Sequence, residues 1–408
     1  MNKQRFLEKL LAGAEVEWLP IGEVTQYEQP TKYRISGKEY NDNYNTPVLT
    51  AGKTFILGYT NEIDGIYEAS NAPVIIFDDF TTANKWVDFD FKVKSSAMKL
   101  ITSSNKARYN LKFIYYHLNT LPKDVADGDH KRHWISNFCK KKIPIPCLDN
   151  PEKSLAIQGE IVRILDTFTE LTAELTAELT ARKKQYTHYL NRLLTLQNLV
   201  AWKPLGELGK LVRGNGLQKK DFTESGVGCI HYGQIHTYYG TYARRTKTFT
   251  SEKLAQSLRH AQQGNLIIAT TSENDEDVCK AVAWLGSDPI VVSGDTYIFQ
   301  HSLNPKFVSY CFQTDSFQKQ KRPYITGTKV RRVSGESMQK IAIPIPCIGD
   351  REQSLAEQKR IVSLLDTFST LTNSLSEGLP REIELRKKQY SHYRDLLLDF
   401  PKQDEQIS

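Results

Sequence analysis

No stretch of the chain approaches the ~20 consecutive apolar residues that a membrane span requires. The longest apolar runs, such as Val74-Ile75-Ile76-Phe77, suit short buried strands instead. A signal-peptide core is also missing, because Met1-Asn2-Lys3-Gln4-Arg5 leads into charged amphipathic sequence. Cysteine is scarce: six in 408 residues, with no Cys-x-x-Cys pair. That argues against a structural zinc site and reads as free thiols in a reducing cytoplasm. Catalytic signatures are absent too. There is no Gly-rich dinucleotide fingerprint, no His-Glu-x-x-His and no Gly-x-Ser-x-Gly. Ala51-Gly52-Lys53-Thr54 has the tail of a phosphate-binding loop, but Pro47 stands where its first Gly is required. The Asn/Asp-Pro-Pro-aromatic tetrapeptide with which DNA amino-methyltransferases hold a flipped base is missing. Asp78-Asp79 and the acidic run Glu273 to Asp277 could hold a nuclease metal, yet no Lys pattern shared by both halves accompanies them. The expectation is a chain that binds no metal or cofactor and performs no chemistry of its own.

Net charge is only +7, but it is unevenly placed. Residues 20–143 hold 17 basic and 14 acidic residues, and residues 203–341 hold 19 and 12. All other residues together hold 18 and 21. Two separate segments therefore carry the positive excess, as two anion-facing surfaces would.

Internal duplication is the strongest signal. Ile143-Pro144-Ile145-Pro146-Cys147 recurs as Ile343-Pro344-Ile345-Pro346-Cys347. Ser154-Leu155-Ala156, Gln158, Ile161-Val162 and Leu165-Asp166-Thr167-Phe168 recur at the same offset of 200, from Ser354 to Phe368. Arg182-Lys183-Lys184-Gln185-Tyr186 recurs as Arg386-Lys387-Lys388-Gln389-Tyr390, offset 204. Trp18-Leu19-Pro20 recurs as Trp202-Lys203-Pro204, offset 184. His188 and His392 belong to this repeated framework. The two segments between the repeats show no similarity to each other by eye, so like framework joins unlike inserts.

The repeated segments read as long helices. Ile157, Ile161, Ile164, Phe168, Leu171 and Leu175 follow a coiled-coil seam, as do Ile361, Leu364, Phe368, Leu371 and Leu375. Ser154 is expected to cap the first. Gly378-Leu379-Pro380 should interrupt the second. Each helix needs an apolar partner, and the natural one is the other, antiparallel; a plain helical bundle without a spacing role is the alternative. The first helix contains a tandem tetrapeptide, Thr172-Ala173-Glu174-Leu175 then Thr176-Ala177-Glu178-Leu179. Four helical residues add about 6 Å of rise and a net rotation near 40°; one base pair of B-DNA adds about 3.4 Å and a similar rotation of ~35°. Such a unit can retune a rigid spacer; replication slippage in a tolerant helix is compatible with it.

The expected architecture is α+β: two mixed α/β domains separated by two long antiparallel helices, with pseudo-two-fold symmetry. The boundaries are a helical segment 1–19, a first domain 20–143, a central helical spacer 144–202, a second domain 203–341 and a C-terminal helical spacer 342–408. The first domain shows strand-like runs at 47–50, 54–59 and 72–77, then a helix-like 111–118. The second shows them at 229–232, 265–269 and 288–293, with helix near 307–317. Hydroxyl- and amide-rich turns follow the buried strands: Thr81, Thr82, Asn84 and Lys85 in one, Thr270, Thr271, Ser272 and Asn274 in the other. Their side chains suit base edges or phosphates. Basic residues interleaved with aromatics add Lys53, Lys131 and Arg132 in the first domain. In the second they add Arg213, Lys219, Lys220, His231, Tyr232, Gln234, Arg322, Lys329, Arg331 and Arg332.

Taken together, the Ile-Pro-Ile-Pro pairs, the Leu-Ala-x-Gln helices and the Arg-Lys-Lys-Gln-Tyr segments resemble the DNA-specificity subunit of type I restriction-modification systems. The likeness covers essentially the whole chain and is nearest to members with tandem Thr-Ala-Glu-Leu repeats. It implies two target-recognition domains, each reading half of a bipartite, asymmetric site in double-stranded DNA. It implies spacer helices that set the unread interval and dock two modification (methyltransferase) subunits. Restriction (translocase/nuclease) subunits would join through that core, and S-adenosylmethionine, ATP and Mg would sit on those partners. Two rival classes stay open on sequence alone: a fused nuclease and recognition enzyme, and a helical adaptor without DNA affinity.

Overall fold

Alternating prolines shape the first repeated element. Pro144 and Pro146 have no N–H to donate, so Lys142–Pro146 can serve only as a strand with a single partner. It pairs antiparallel with Val16–Pro20, Trp18 opposite Pro144. Ala342–Pro346 pairs in the same way with Val200–Pro204, Trp202 opposite Pro344. In both, the isoleucines between the prolines are buried. Cys147 and Cys347 then turn the chain at φ 48° and 51°, and a helix starts.

In this computed structural model, residues 3–37, 40–50, 52, 54–122, 132–195, 200–373 and 378–401 are described. Contacts divide the chain into two compact units, one of residues 1–173 with 385–408 and one of residues 174–384. The central helix runs unbroken from Pro151 to Thr195. Among the described residues no helix is long and apolar enough to cross a membrane.

In the first unit a four-stranded antiparallel sheet has the order Thr25–Glu28, Met98–Ser103, Val74–Asp78, Asn84–Val87. A three-stranded sheet has the order Ile56–Thr60, Thr46–Leu49, Lys92–Val93. Residues 74–77 of the strand Val74–Asp78 are all apolar because both its faces are covered. Val74 and Ile76 meet Leu49, Phe91 and Leu100. Ile75 and Phe77 meet a second core that holds Phe113, Trp134, Ile161, Leu165 and Leu397. The helix Leu111–Leu118 forms where the sequence predicts it, capped by Asn110.

In the second unit a five-stranded sheet has the order Gly209–Arg213, Thr296–His301, Leu266–Ala269, Ala281–Trp284, Tyr242–Ala243. A four-stranded sheet holds Thr248–Thr250, Val227–Ile230, Ile290–Val292 and His260–Ala261. Leu266 and Ile268 face the core that contains Ile361 and Leu365, whereas Ile267 and Ala269 face the other side. The helical stretch expected near 307–317 is two short helices, Pro305–Cys311 and Asp315–Lys321.

Within each unit the central helix packs against a C-terminal helix. Phe168 of the central helix stacks on Tyr393 in the first, and Tyr189 stacks on Phe368 in the second. Two details of the sequence reading are corrected. Ser154 does not cap the central helix; Asn150 does, its Oδ1 accepting from Lys153 N at 3.0 Å, as Asp350 Oδ1 accepts from Gln353 N. The seam also differs. Leu364 and Leu371 are 41% and 37% exposed, while Ile361, Leu365 and Phe368 turn inward. Each helix faces the sheet domain of its own unit as well as the partner helix, so the buried stripe is wider than a coiled-coil seam and shifted from it.

Candidate nucleic-acid interface

Each sheet domain is mounted on its helix by the same polar contacts. Gln158 and Gln358 are both 0% exposed. Gln158 Oε1 accepts from Asn110 N at 2.8 Å, and its Nε2 donates to Arg108 O and Ser154 Oγ. Gln358 Oε1 accepts from Asn304 N at 2.9 Å, and its Nε2 donates to Ser354 Oγ. Two turns further along, Asp166 accepts from Tyr116 OH and pairs with Lys112 Nζ at 2.8 Å. Asp366 accepts from Tyr310 OH at 2.8 Å and pairs with Lys306 Nζ at 2.5 Å. The segments supplying these partners are Asn110-x-Lys112-Phe113-x-x-Tyr116 and Asn304-x-Lys306-Phe307-x-x-Tyr310. This likeness lies inside the two domains, and sequence reading missed it. The signal was present at an offset of 194, inside otherwise unlike sequence.

In the first domain, Asp78 Oδ1 accepts from Phe80 N and Thr81 N, both at 2.9 Å, and so builds the turn after the buried strand. Thr81 and Lys85 are exposed. Thr82 sits at φ 58° and is 1% exposed, so its side chain faces inward instead of outward. Asn84 is half-buried on the strand Asn84–Val87, and neither its Oδ1 nor Thr82 Oγ1 has a hydrogen-bond partner. Asp79 is a tether. Its backbone O accepts from His133 N, its Oδ1 from Trp134 N, and its Oδ2 lies 3.6 Å from buried Lys99. The tether brings exposed Arg132 beside the turn. Lys53 and Lys131 lie outside the described residues.

In the second domain, Arg213, Lys219, His231 and Tyr232 gather with Asp295 around an open cleft of about 450 Å³. His231 Nδ1 accepts from Gly233 N, so a neutral ring carries its proton on Nε2. Burial, and then the charge of Lys219, hold His231 below its usual pKa. Thr270 N and Oγ1 both donate to Asp295 O, which ties the 270–274 turn to the cleft wall. Thr270 and Thr271 are buried, and Thr271-Ser272 pairs with Arg331-Arg332 as a two-stranded ladder. Asn274 bonds Asp277, and Arg331 is paired with Asp275 at 2.8 Å. Gln234 is spent internally, accepting from His231 N and donating to Thr248. Lys220, Arg322, Lys329 and Arg332 are exposed.

Lys321 opens the basic run that continues to Arg322 and so reads in sequence as a phosphate contact, but it is 1% exposed and donates to Glu276 O, Val278 O and Gln318 Oε1. Its four-residue spacing from buried Phe317 already placed it on the inner face of its helix. In the two acidic runs, Asp78, Asp79, Asp275 and Asp277 are thus engaged in turns, tethers or an ion pair. Among the described residues no group of three His, Cys, Asp or Glu side chains is arranged to hold a metal.

What the two surfaces present is hydrogen-bond donors, cations and aromatic rings on rigid turns. The family described as the type I restriction modification DNA specificity domain matches residues 14–182 and 200–385. The chain belongs to this family. It is 50% identical over 410 residues to the EcoR124I/EcoR124II specificity subunit of Escherichia coli, covering 98% of each chain. A putative type I restriction enzyme specificity subunit of Haemophilus influenzae is 28% identical, over 98% of this chain and 99% of that one. The fold matches the crystal structure of the type I restriction-modification S subunit of Mycoplasma genitalium at TM-score 0.56 and 15% identity, covering 96% and 97% of the two chains. It also matches a chain from a structural study of type I complex assembly and conformational transition, at TM-score 0.53, 15% identity and 94% and 97% coverage. The chain is a type I specificity subunit, a recognition subunit and not a catalyst.

Proposed function

We propose that residues 20–143 and 203–341 each read one half of a bipartite, asymmetric site in double-stranded DNA. The helical segments set the interval between the halves and dock two methyltransferase subunits. Restriction subunits join through that core, and S-adenosylmethionine, ATP and Mg are used on those partners, in the cytoplasm. The observation that supports this reading most is the contrast between mounts and surfaces. Matching Asn-x-Lys-Phe-x-x-Tyr segments seat two domains whose sheets and surface segments are otherwise unlike. That is the arrangement expected when one framework carries two different specificities.

The tandem Thr-Ala-Glu-Leu units support a spacer role for the central helix. They lie wholly within its 45 residues. Their Thr, Ala and Glu positions from 176 to 178 are exposed, so they can be gained or lost with little disturbance of a core.

A mobility-shift titration at two salt concentrations, with methyltransferase subunits present, tests the reading. The complex should bind duplex DNA with steep salt dependence. Lys219→Ala with Lys220→Ala should flatten the slope by about one to two counterions, nearly equally for all sequences. A complex with no DNA affinity would make the chain an adaptor. Cleavage by the purified chain alone with a divalent metal would make it a nuclease.

A further inference from the structure

The mounts hold more than the domain core requires. In each unit the helix offers a buried glutamine and, eight residues on, an aspartate; eight residues are about 12 Å of helix. Apolar packing between two helices is non-directional and tolerates small rotations. Hydrogen bonds at two points this far apart do not, because each needs its donor in line. The same atoms meet the same partners in both units although the surrounding cores differ. The lysine of each mount also continues outward. Lys112 Nζ lies 5.2 Å from the Trp86 ring, on the strand that carries Asn84 and Lys85. Lys306 Nζ lies 3.8 Å from the Tyr242 ring, on an edge strand of the five-stranded sheet.

Resting on the reading above, we propose that Asp166 and Asp366 are positioning residues that fix the angle of each recognition domain on its helix, with Lys112–Trp86 and Lys306–Tyr242 carrying that setting to the reading sheets. They touch no DNA. Their role is to make the interval between half-sites sharp, so that a site whose spacer is one base pair too long or too short is rejected.

The test uses the full chain in its complex with methyltransferase subunits. Two variants are made: Tyr116→Phe with Lys112→Gln, and Tyr310→Phe with Lys306→Gln. Tyr→Phe keeps the packing of the buried ring, and Asp166 and Asp366 stay in place. Binding is measured on duplexes carrying the correct spacer, spacers changed by one base pair, and single-base changes in each half-site. Thermal stability is measured alongside.

Loss of these charge-assisted bonds should cut discrimination between spacers by about tenfold while single-base discrimination stays within about twofold. Lys112→Arg, which keeps the ion pair, should retain sharp spacing. If instead affinity falls equally on every duplex, in step with the melting temperature, the mounts only stabilise the fold and the proposal is overturned. An unchanged spacer preference overturns this proposal alone. A wild-type complex without any bipartite preference overturns the reading it rests on as well.

Discussion

The rings of Phe168 and Tyr393 lie face to face, centroids 5.0 Å apart and planes inclined by 17°. Tyr189 and Phe368 repeat the contact at 5.2 Å and 22°. In each unit one ring comes from the central helix and one from a C-terminal helix, so an aromatic pair holds the two helices together. Phe168→Ala should cost about 2–3 kcal/mol, the lost burial of a half-exposed ring plus its stacking. Phe168→Leu should cost less than half of that. Urea unfolding of the three proteins measures both, and equal stabilities would remove the pair from any structural role.

Acid should weaken the first unit through His117. The ring is fully buried against Phe113 and Phe400, with no partner for Nε2. Burial pushes its pKa down to about 3. The unfolded chain, near 6.5, therefore binds the proton first. The contribution is complete well above pH 6.5 and is lost as pH falls toward 3, by about 2.3 kcal/mol between pH 6.5 and 4.5. His117→Leu should make stability less steep in that window by about one proton. Identical slopes for variant and wild type would show that the ring titrates normally.

Lys321 should prove to be the pin of the Glu276–Val278 segment. Lys321→Met fills the space but leaves two carbonyls without their donor, a loss of about 2–4 kcal/mol. Hydrogen exchange at residues 276–279 should accelerate in the variant. Unchanged protection there would assign the pinning to Arg331 and Asp275 instead.

Much of this architecture was legible because repetition exposes it. The Ile-Pro-Ile-Pro strands, the long helices and the helix at 111–118 follow from proline chemistry and apolar period alone. The helix cap was misplaced because Ser154 and Asn150 are both good cap residues, and only the left-handed turn at Cys147 selects between them. Leu364 and Leu371 fit a heptad yet lie outward, since period does not reveal that a third surface, the recognition domain, competes for the helix face. The candidate site residues were the least legible. Thr82 looks available in sequence, but a positive φ turns it inward. Asp79 and Asp275 look like metal carboxylates until Lys99 and Arg331 appear beside them. Gln158 and Asp166 were visible as repeats, but their partners lie 48 and 50 residues away in chain that is otherwise unlike its counterpart.

Deleting Thr176–Leu179 should shorten the preferred spacer by about one base pair, since four residues carry about 6 Å of rise and one full turn plus about 40°, near the ~35° step of one base pair. The half-site sequences should stay as they are, because no recognition residue moves on its own mount. A deletion that changes a half-site sequence instead would take the ruler role away from the central helix.

The most direct test is a genome-wide map of methylated sites in a host that carries this chain with its methyltransferase partner, repeated after residues 203–341 are replaced by the matching segment of a relative. Two unlike half-sites at a fixed interval, of which the replacement changes one and leaves the other intact, is the expected result. A single continuous site, or a replacement that changes both halves together, would contradict the account.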